Sequence, residues 1–370
     1  MFFSRVALFA GLASYAYAQT STTCDPLNTT CPADPALGTE HTWNFNTTLD
    51  ETIWNMTTGT YKYDDTGAQF SLTGEGQSTL LSSNFYIFFG VVESHVKMAK
   101  GGGLVSSVVL ESDDLDEVDW EWVGYNTSEV QSNFFGKGND TTFDRGGTHY
   151  VPNADTEFHN YTTYWDQERL QWWIDGNMVR ELLYDDKGTL GGKNYPQTPC
   201  RVKFSLWPAG QKSAAQGTIE WAGGLVDWDK APFTMTLGAL RVKDFHSGKE
   251  YTYSDHTGSF DSIKVADGNS TVLTELNKAP AKSLSEKWDD LGQGAHIGVY
   301  CGAAGAGVLG IAAFLIFCLR QRRKGRLENA LDNNQYAENR TEMQNSQNDW
   351  KQSEWKGSEF RNGGYRQVSN

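Results

Sequence analysis

The chain has 370 residues and a formal net charge of −15, and it contains 13 Trp, 16 Tyr and 19 Phe. Its acidity argues against nucleic acid as a partner, because that affinity comes from Lys and Arg side chains that neutralise phosphates. A neutral ligand such as a glycan suits it better. The seven His residues show no metal-ligand spacing, so no catalytic metal or other cofactor is expected, and a structural cation held by carboxylates stays open.

The first 18 residues have the pattern of a secretory signal peptide. Arg5 supplies the positive start, residues 6–12 the apolar core, and Ala16-Tyr17-Ala18 the cleavage motif, so the mature chain is predicted to begin at Gln19. Sequons for N-glycosylation agree with secretion. The seven predicted acceptors are Asn28, Asn46, Asn55, Asn126, Asn139, Asn160 and Asn269.

Two of the five cysteines stand close together near the predicted mature N-terminus. Cys24 and Cys31 flank a six-residue loop in an oxidising compartment, and we expect a disulfide between them. Cys200 has no obvious extracellular partner and is predicted to be buried and free. Cys301 and Cys318 belong to an apolar segment near the C-terminus.

Residues 42–261 show short apolar and aromatic runs separated by turn signals, with no long amphipathic helix. The Asp175-Gly176-Asn177 segment predicts a tight hairpin turn, and a short helix is expected near Pro196. Many short strands favour an all-β fold of two packed sheets, in one domain over residues 19–265. The clearest predicted strands are residues 85–93, 104–110, 116–125, 161–165, 171–175, 202–207 and 237–245.

One predicted strand carries three carboxylates at alternate positions. Glu117, Asp119 and Glu121 alternate with large apolar residues, and alternate residues of a strand share a face. A row of like charges on one face lowers stability. A merely solvated acidic strand would not need Trp at the intervening positions, so the pattern indicates a functional surface.

The spacing of this row fits a retaining glycosidase, which needs a carboxylate nucleophile and a carboxylic acid about 5–5.5 Å apart. Cα atoms four residues apart on a strand are about 13 Å apart, and two long Glu side chains leaning inwards close most of that gap. The outer pair, Glu117 and Glu121, is therefore predicted to react, while Asp119 holds them in opposite protonation states. The spacing predicts β-glycoside chemistry with retention and specifies no particular polysaccharide.

The C-terminal part of the chain predicts a membrane anchor. Residues 266–296 form a polar linker, and residues 297–319 lack charge and are long enough to span a bilayer. The basic run Arg320–Arg326 marks the cytoplasmic side, which places the N-terminal domain outside the cell. Residues 320–370 form a cytoplasmic tail, disordered from residue 327 onwards. A cleaved lipid-anchor signal would end in its hydrophobic part, whereas polar residues follow here.

The Glu-x-Asp-x-Glu strand resembles that of glycoside hydrolase family 16, which has a β-jelly-roll (concanavalin-like) fold. Several stretches resemble, more narrowly, the Crh-type fungal cell-wall transglycosylases of that family, over roughly residues 24–265. These stretches are Asp116–Trp122, Cys24–Leu27 with Cys31-Pro32, Pro35–Gly38, Tyr195–Pro199 and Gly217–Gly224.

The resemblance implies that Glu117 is the nucleophile, Asp119 its helper and Glu121 the general acid/base. It also implies a set of substrate-binding residues, which are Glu121, Lys203, Trp207 and Thr218. Lys203 and Trp207 would share one strand face, as the lining of a cleft should. The alternative places Trp207 in the core and Lys203 on the surface. The loop Trp207–Gly210 departs from the Trp-Ala-Gly-Gly of many relatives.

The resemblance implies an enzyme that cleaves chitin with retention and transfers it to β-glucan or chitin-oligomer acceptors, cross-linking the fungal wall. A retaining hydrolase of chitin or β-glucan stays open, because sequence does not measure how an acceptor sugar competes with water. A catalytically silent glycan-binding module or wall sensor is the other alternative, which the intact carboxylate row disfavours. The chain has too few cysteines for the chitin-binding module that some relatives carry.

Overall fold

A computed structural model describes residues 22–141, 144–278, 288 and 290–353 of the chain. The predicted signal peptide, its cleavage site and the last residues of the tail lie outside this part. The chain divides into an N-terminal unit that ends at Lys278 and a C-terminal unit that begins at Ala279. The N-terminal unit thus continues past the predicted boundary at residue 265, and its extra segment contains a short helix with Val272 buried.

Eighteen strands occur in the described residues. They are β1 (Asp34–Pro35), β2 (Glu40–Asn44), β3 (Trp54–Thr58), β4 (Tyr61–Asp64), β5 (Gly67–Leu72), β6 (Thr79–Ile87), β7 (Gly90–Lys97), β8 (Leu104–Ser112), β9 (Glu117–Val123), β10 (Glu129–Phe135), β11 (Gly147–Tyr150), β12 (His159–Trp165), β13 (Arg169–Ile174), β14 (Asn177–Leu183), β15 (Cys200–Pro208), β16 (Phe233–Asp244), β17 (Glu250–Tyr253) and β18 (Ile263–Ala266). The α-helices are α1 (Gln216–Trp221), α2 (Thr271–Leu276) and α3 (Gln293–Ser353), and single 3₁₀ turns lie at Lys187–Thr189, Trp228–Lys230 and Phe260–Ser262.

The strands form a sandwich of two large antiparallel sheets, as the sequence predicts. One sheet has the order β11-β10-β9-β8-β15-β6-β3, and the other has β14-β13-β12-β7-β16-β5-β4 with β2 paired to β16. Aromatic side chains join their inner faces. The Trp120 indole N–H donates to Thr163 Oγ1 at 3.1 Å, and the Trp122 ring meets Tyr161 edge-on at 4.5 Å. A small third sheet contains β1, β17 and β18.

One strand prediction is wrong. Residues 85–93 form the end of β6 and the start of β7, with a turn at Phe88 and Phe89. Phe89 has φ of 61°, and the chain passes there from one large sheet to the other. Both Phe rings are buried, so the aromatic run continues through the turn and hides it. The other six predicted strands coincide with β8, β9, β12, β13, β15 and β16.

The short helix expected near Pro196 is absent from the described residues there. The Trp165 indole N–H donates to the Pro196 carbonyl at 2.7 Å, and the Gln197 backbone N–H donates to Asp116 Oδ2 at 2.8 Å. The backbone of this segment is therefore bonded to other parts of the sandwich instead of to a helical turn. The predicted hairpin is present, because Asp175 and Gly176 both have positive φ between β13 and β14.

The cysteines of the N-terminal unit behave as expected. Cys24 and Cys31 are bonded, with their Cα atoms 5.8 Å apart. Cys200 is free and fully buried at the start of β15, where burial raises the pKa of its thiol well above the usual value.

The C-terminal unit contains α3, which is long and apolar enough in part to cross a membrane by length and composition. The helix continues through the basic run to Ser353, so the predicted disorder is wrong for residues 327–353. The physical reason is local: these residues contain neither Gly nor Pro and many good helix formers. The rest of the predicted tail lies outside the described residues.

Two buried carboxyl groups near β1 give the fold a pH dependence. Burial, and then the charge of Asp113, raises the pKa of Asp34 to about 8. Burial, and then Asp116, raises that of Asp114 to about 7. The folded chain therefore holds protons that the unfolded chain releases near its ordinary pKa of 3.8. Each group's contribution is complete below about pH 4 and is lost as pH rises to its folded pKa.

Asp34→Asn is expected to flatten the fall in melting temperature between about pH 4 and pH 8, because the amide mimics the neutral acid. A group of this kind changes stability by up to about 1.4 kcal/mol per pH unit. The measurement is a set of thermal melts across this range, with the exposed Asp267→Asn as the control. Equal slopes for wild type and Asp34→Asn would show that Asp34 is not protonated in the folded chain.

Candidate active site

Strand β9 presents its carboxylates on the face that points away from the core. Trp120 and Trp122 are buried between the two sheets, so Glu117, Asp119 and Glu121 lie on the opposite face of the same strand. Asp119 is buried, whereas the two Glu residues are half-buried. The alternation predicted from the sequence is therefore present in the structure.

Neighbouring strands surround the row with mostly polar side chains. Strands β8 and β10 flank β9, and their pairing places one residue from each beside every carboxylate. The neighbours are Ser107 and Gln131 at Glu121, Val109 and Asn133 at Asp119, and Glu111 and Phe135 at Glu117. This face of the seven-stranded sheet is the floor of the candidate active site.

Asp119 retains its proton and donates a hydrogen bond to Glu117. Burial first, and then the charges of Glu117 and Glu121, raises the pKa of Asp119 well above its usual value. The hydrogen bond between Asp119 and Glu117 raises the Asp119 pKa and lowers that of Glu117, so Asp119 is the donor. The Trp172 indole N–H binds the backbone carbonyl of Asp119 at 3.1 Å and fixes the strand there.

The two outer carboxylates differ in their surroundings. Burial, followed by the charge of Glu117, raises the pKa of Glu121 to about 8, against a hydrogen bond from Ser107 that lowers it. Burial also raises the pKa of Glu117, but the hydrogen bond from Asp119 and the charge of Lys203 both lower it. Their surroundings therefore favour a proton on Asp119 and on Glu121, whereas the hydrogen bond from Asp119 and the Lys203 charge favour the ionised form of Glu117.

Lys203 lies on the floor of this face, beside the Glu117 end of the row. Pairing of β15 with β8 sets Lys203, Ser205 and Trp207 on the same face as the carboxylates. The Lys203 ammonium forms an ion pair with Glu111, and both side chains are largely buried. The alternative of a surface Lys203 and a core Trp207 is wrong, because the Trp207 ring is half-buried at this face.

Two Trp rings bound the Glu121 end of the row. The Trp207 indole N–H donates to Ser107 Oγ at 3.3 Å, and that of Trp221 donates to Gln131 Oε1 at 2.8 Å. The ring centroids are 6.2 Å apart with an interplanar angle of 35°. Both rings pack on a second apolar cluster that is separate from the main core. Its buried members are Val105, Val123, Ala209 and Ala222.

Helix α1 brings Trp221 to this position and also carries Thr218, whose side chain is half-exposed. The site residues predicted from the sequence did not include Trp221, Gln131 or Glu111, and the helix itself was not predicted. Burial alternates along Glu129–Phe135 in the structure, but the polar Ser132 and the apolar Phe135 break this alternation in the sequence, so no clear pattern marks the face that carries Gln131. No sequence pattern marks Trp221 either.

Comparison with known proteins decides the family. The sequence pattern of Glycosyl hydrolases family 16 matches residues 48–223. Crh-like protein 3 of Aspergillus fumigatus is 62% identical over 346 residues, which cover 94% of this chain and 95% of that protein. The chain belongs to the Crh-like proteins of glycosyl hydrolase family 16.

Further similarities agree with this placement. Crh-like protein 2 of Botryotinia fuckeliana is 50% identical and is covered over 74% of its length, with 89% of this chain. A solved Crh5 transglycosylase in complex with NAG is 43% identical with a TM-score of 0.63, covering 65% of this chain and 99% of that one. This Crh-like protein is therefore an enzyme of the glycosidase and transglycosylase type, as the sequence resemblance implies.

The predicted glycosylation sites of this Crh-like protein differ in exposure. Asn28, Asn46, Asn55 and Asn269 are exposed, whereas Asn126, Asn139 and Asn160 are half-buried. The Asn139 side chain is engaged in the fold, because its amide N–H donates to Asn194 Oδ1 at 2.9 Å. Exposed Asn side chains are the better acceptors for a bulky glycan. Within the described residues, no group of three or more His, Cys, Asp or Glu side chains is placed to hold a metal ion.

Proposed function

We propose that this protein is a cell-wall transglycosylase that cleaves chitin with retention and transfers the chain to β-glucan or chitin-oligomer acceptors. One observation carries the proposal: on the same face of β9, the Asp119 hydrogen bond and the Lys203 charge favour an ionised Glu117, while burial and the charge of Glu117 raise the pKa of Glu121 to about 8. A double displacement needs this pair. The solved Crh5 transglycosylase is a complex with NAG, the sugar unit of chitin, which supports a chitin donor.

In the first step a Glu117 carboxylate oxygen attacks the anomeric carbon of the donor and forms a covalent glycosyl-enzyme. Glu121 gives its proton to the glycosidic oxygen as that bond breaks, so the leaving chain departs as a neutral alcohol. Asp119 directs its proton to Glu117 and so holds the attacking carboxylate in place. The Lys203 charge supports the ionised form of Glu117 before the attack.

In the second step Glu121 is ionised and takes a proton from an acceptor hydroxyl. The acceptor oxygen attacks the anomeric carbon from the face that the leaving group vacated, and the bond to Glu117 breaks. Two inversions give net retention. Burial raises the pKa of Glu121, so the group recovers its proton readily and is ready for the next cycle.

Transfer instead of hydrolysis requires a sugar to occupy the place of the attacking water. The half-buried rings of Trp207 and Trp221 lie beside Glu121, the group that activates the acceptor. Aromatic faces stack on pyranose rings and exclude water, which favours a sugar acceptor there. Lys203 on the floor of this face and the half-exposed Thr218 on α1 are the further polar contacts proposed for the sugars.

The enzyme is proposed to act outside the cell while attached to the membrane. The signal-peptide pattern, the seven sequons and the Cys24–Cys31 disulfide support passage through the secretory pathway. The apolar part of α3, followed by the basic run Arg320–Arg326, supports a single span with the N-terminal unit outside. Such an anchor keeps the active site at the inner surface of the wall.

Product analysis tests this function. Chitin is incubated with the full-length protein and fluorescent β-glucan or chitin oligosaccharides, and the products are resolved by mass spectrometry. We expect the label to enter larger products, with chitin oligomers joined to the acceptor. If shorter reducing sugars form and no label enters larger products, the protein is the plain hydrolase. If the donor is bound and never cleaved, it is the glycan-binding module.

A further inference from the structure

Glu121 is flanked by two indole N–H groups that are each anchored to a neighbouring strand. Trp207 donates to Ser107 on β8, and Trp221 donates to Gln131 on β10. Ser107 and Gln131 are the residues that pair directly with Glu121 on either side. The two Trp side chains thus fix the two nearest polar neighbours of the general acid/base.

Ser107 and Gln131 keep different hydrogen-bonding groups available after each has accepted an indole N–H. Ser107 accepts the Trp207 N–H with its oxygen, so its own O–H is directed to Glu121, where its hydrogen bond lowers the pKa. Gln131 has an amide instead of a hydroxyl. Because an indole N–H only donates, the amide atom that meets it is the carbonyl oxygen, and the –NH₂ group lies on the other side.

The Gln131 –NH₂ group has no protein acceptor in the part of the chain that the structure describes. Its side chain is half-buried on the carboxylate face of β10, one strand away from Glu121. Strands in a sheet lie about 4.8 Å apart, so this amide is within reach of a sugar that contacts Glu121. Both N–H groups of the Gln131 amide are therefore held beside Glu121, and only the space for the substrate offers them an acceptor.

We propose that Trp221 is a positioning residue that fixes the Gln131 amide as a hydrogen-bond donor to the acceptor sugar, and so favours sugar over water. This inference rests on the proposed transglycosylase function and adds a specificity element to the same site. Without the indole N–H, the amide is free to rotate and to present its oxygen. The acceptor hydroxyl then loses a fixed donor, while water, which adapts to either orientation, loses little.

The test compares Trp221→Phe and Gln131→Met with wild type, all as full-length protein in detergent. Phe keeps the ring packing on Trp207 and removes the N–H, and Met keeps the length of Gln and removes both amide groups. We expect the ratio of transfer to hydrolysis to fall about 5-fold in each variant, the size of one neutral hydrogen bond. The KM for the acceptor is expected to rise in each variant, and donor hydrolysis without acceptor is measured alongside as the reference for the ratio.

The chain offers a matched control. Trp173 donates its indole N–H to Gln171 Oε1 at 3.2 Å on β13, in the other large sheet. Trp173→Phe removes the same kind of bond away from the carboxylate row and is expected to leave the ratio unchanged. The double variant Trp221→Phe/Gln131→Met is expected to be no worse than either single one, because both break the same interaction.

Several outcomes would overturn the inference. A wild-type ratio and acceptor KM in Trp221→Phe would show that the indole N–H has no effect on the acceptor. A parallel loss of transfer, hydrolysis and melting temperature would show that Trp221 only holds α1 in place. If wild type itself forms no transfer product with any acceptor, the proposed function and this inference fail together, and the wild-type assay distinguishes that case.

Discussion

Glu117→Gln is expected to lower turnover of chitin by about 10⁴-fold, because an amide does not form the covalent glycosyl-enzyme. Binding of chitin oligomers stays close to that of wild type, since Gln has the size and hydrogen-bonding reach of Glu. Turnover is measured as donor consumption and binding by calorimetry. Retained binding with lost turnover separates the nucleophile from a residue that only holds the sugar.

Glu117→Gln has a second expected consequence within the row. The negative charge of Glu117 is, after burial, the largest cause of the raised pKa of Glu121. Removing that charge lowers the pKa of Glu121 from about 8, and NMR titration of the labelled carboxyl group measures the change. An unaltered pKa would mean that burial alone sets the protonation of Glu121.

Glu129→Gln is the matched control, because Glu129 is half-buried on the same face at the start of β10 and lies outside the row. Its turnover is expected within about twofold of wild type, as for most surface changes remote from a site. Full activity in Glu117→Gln would refute the role of Glu117. Equal inactivity of wild type and Glu117→Gln, with binding intact, would favour the glycan-binding module.

The carboxylate row was predictable because all of its information lies in consecutive residues. A strand repeats every second residue, so Glu117 to Glu121 specify one face without any knowledge of the fold. The order of protonation was less accessible. It depends on how deeply each group is buried and on the Lys203 charge, and Lys203 is paired with Glu111, 92 residues away in sequence.

The Trp pair and the short helix α1 were not predictable from sequence in the same way. Trp221 and Gln131 are 90 residues apart, and only the fold brings them together. Helix α1 has six residues, and the side chain of its N-cap residue, Ala215, makes no capping hydrogen bond, so the usual start signal is missing. At Phe88 and Phe89 the failure had a different origin, because residues buried on both sides of a turn give one continuous apolar run.

The second large effect is expected at Glu121. In wild type, kcat/KM should fall as pH rises through about 8, the pKa of Glu121, because bond cleavage needs the protonated form. Ser107→Ala removes the hydrogen bond that lowers this pKa, so the fall should move to higher pH. A shift to lower pH would show that Ser107 stabilises the neutral acid instead.

Glu121→Ala is expected to lower chitin turnover by about 10²–10⁴-fold. It should also abolish the fall of kcat/KM at alkaline pH, because the titrating group is gone. An aryl chitooligosaccharide with a good leaving group needs little acid assistance, so it still forms the glycosyl-enzyme with Glu117. Azide then attacks that intermediate without a general base and yields the β-glycosyl azide. The corresponding reaction in Glu117→Ala bypasses the covalent intermediate, so it yields the α-azide. The two product configurations, read by NMR, assign the acid/base and the nucleophile independently, and the same configuration from both variants would contradict the assignment.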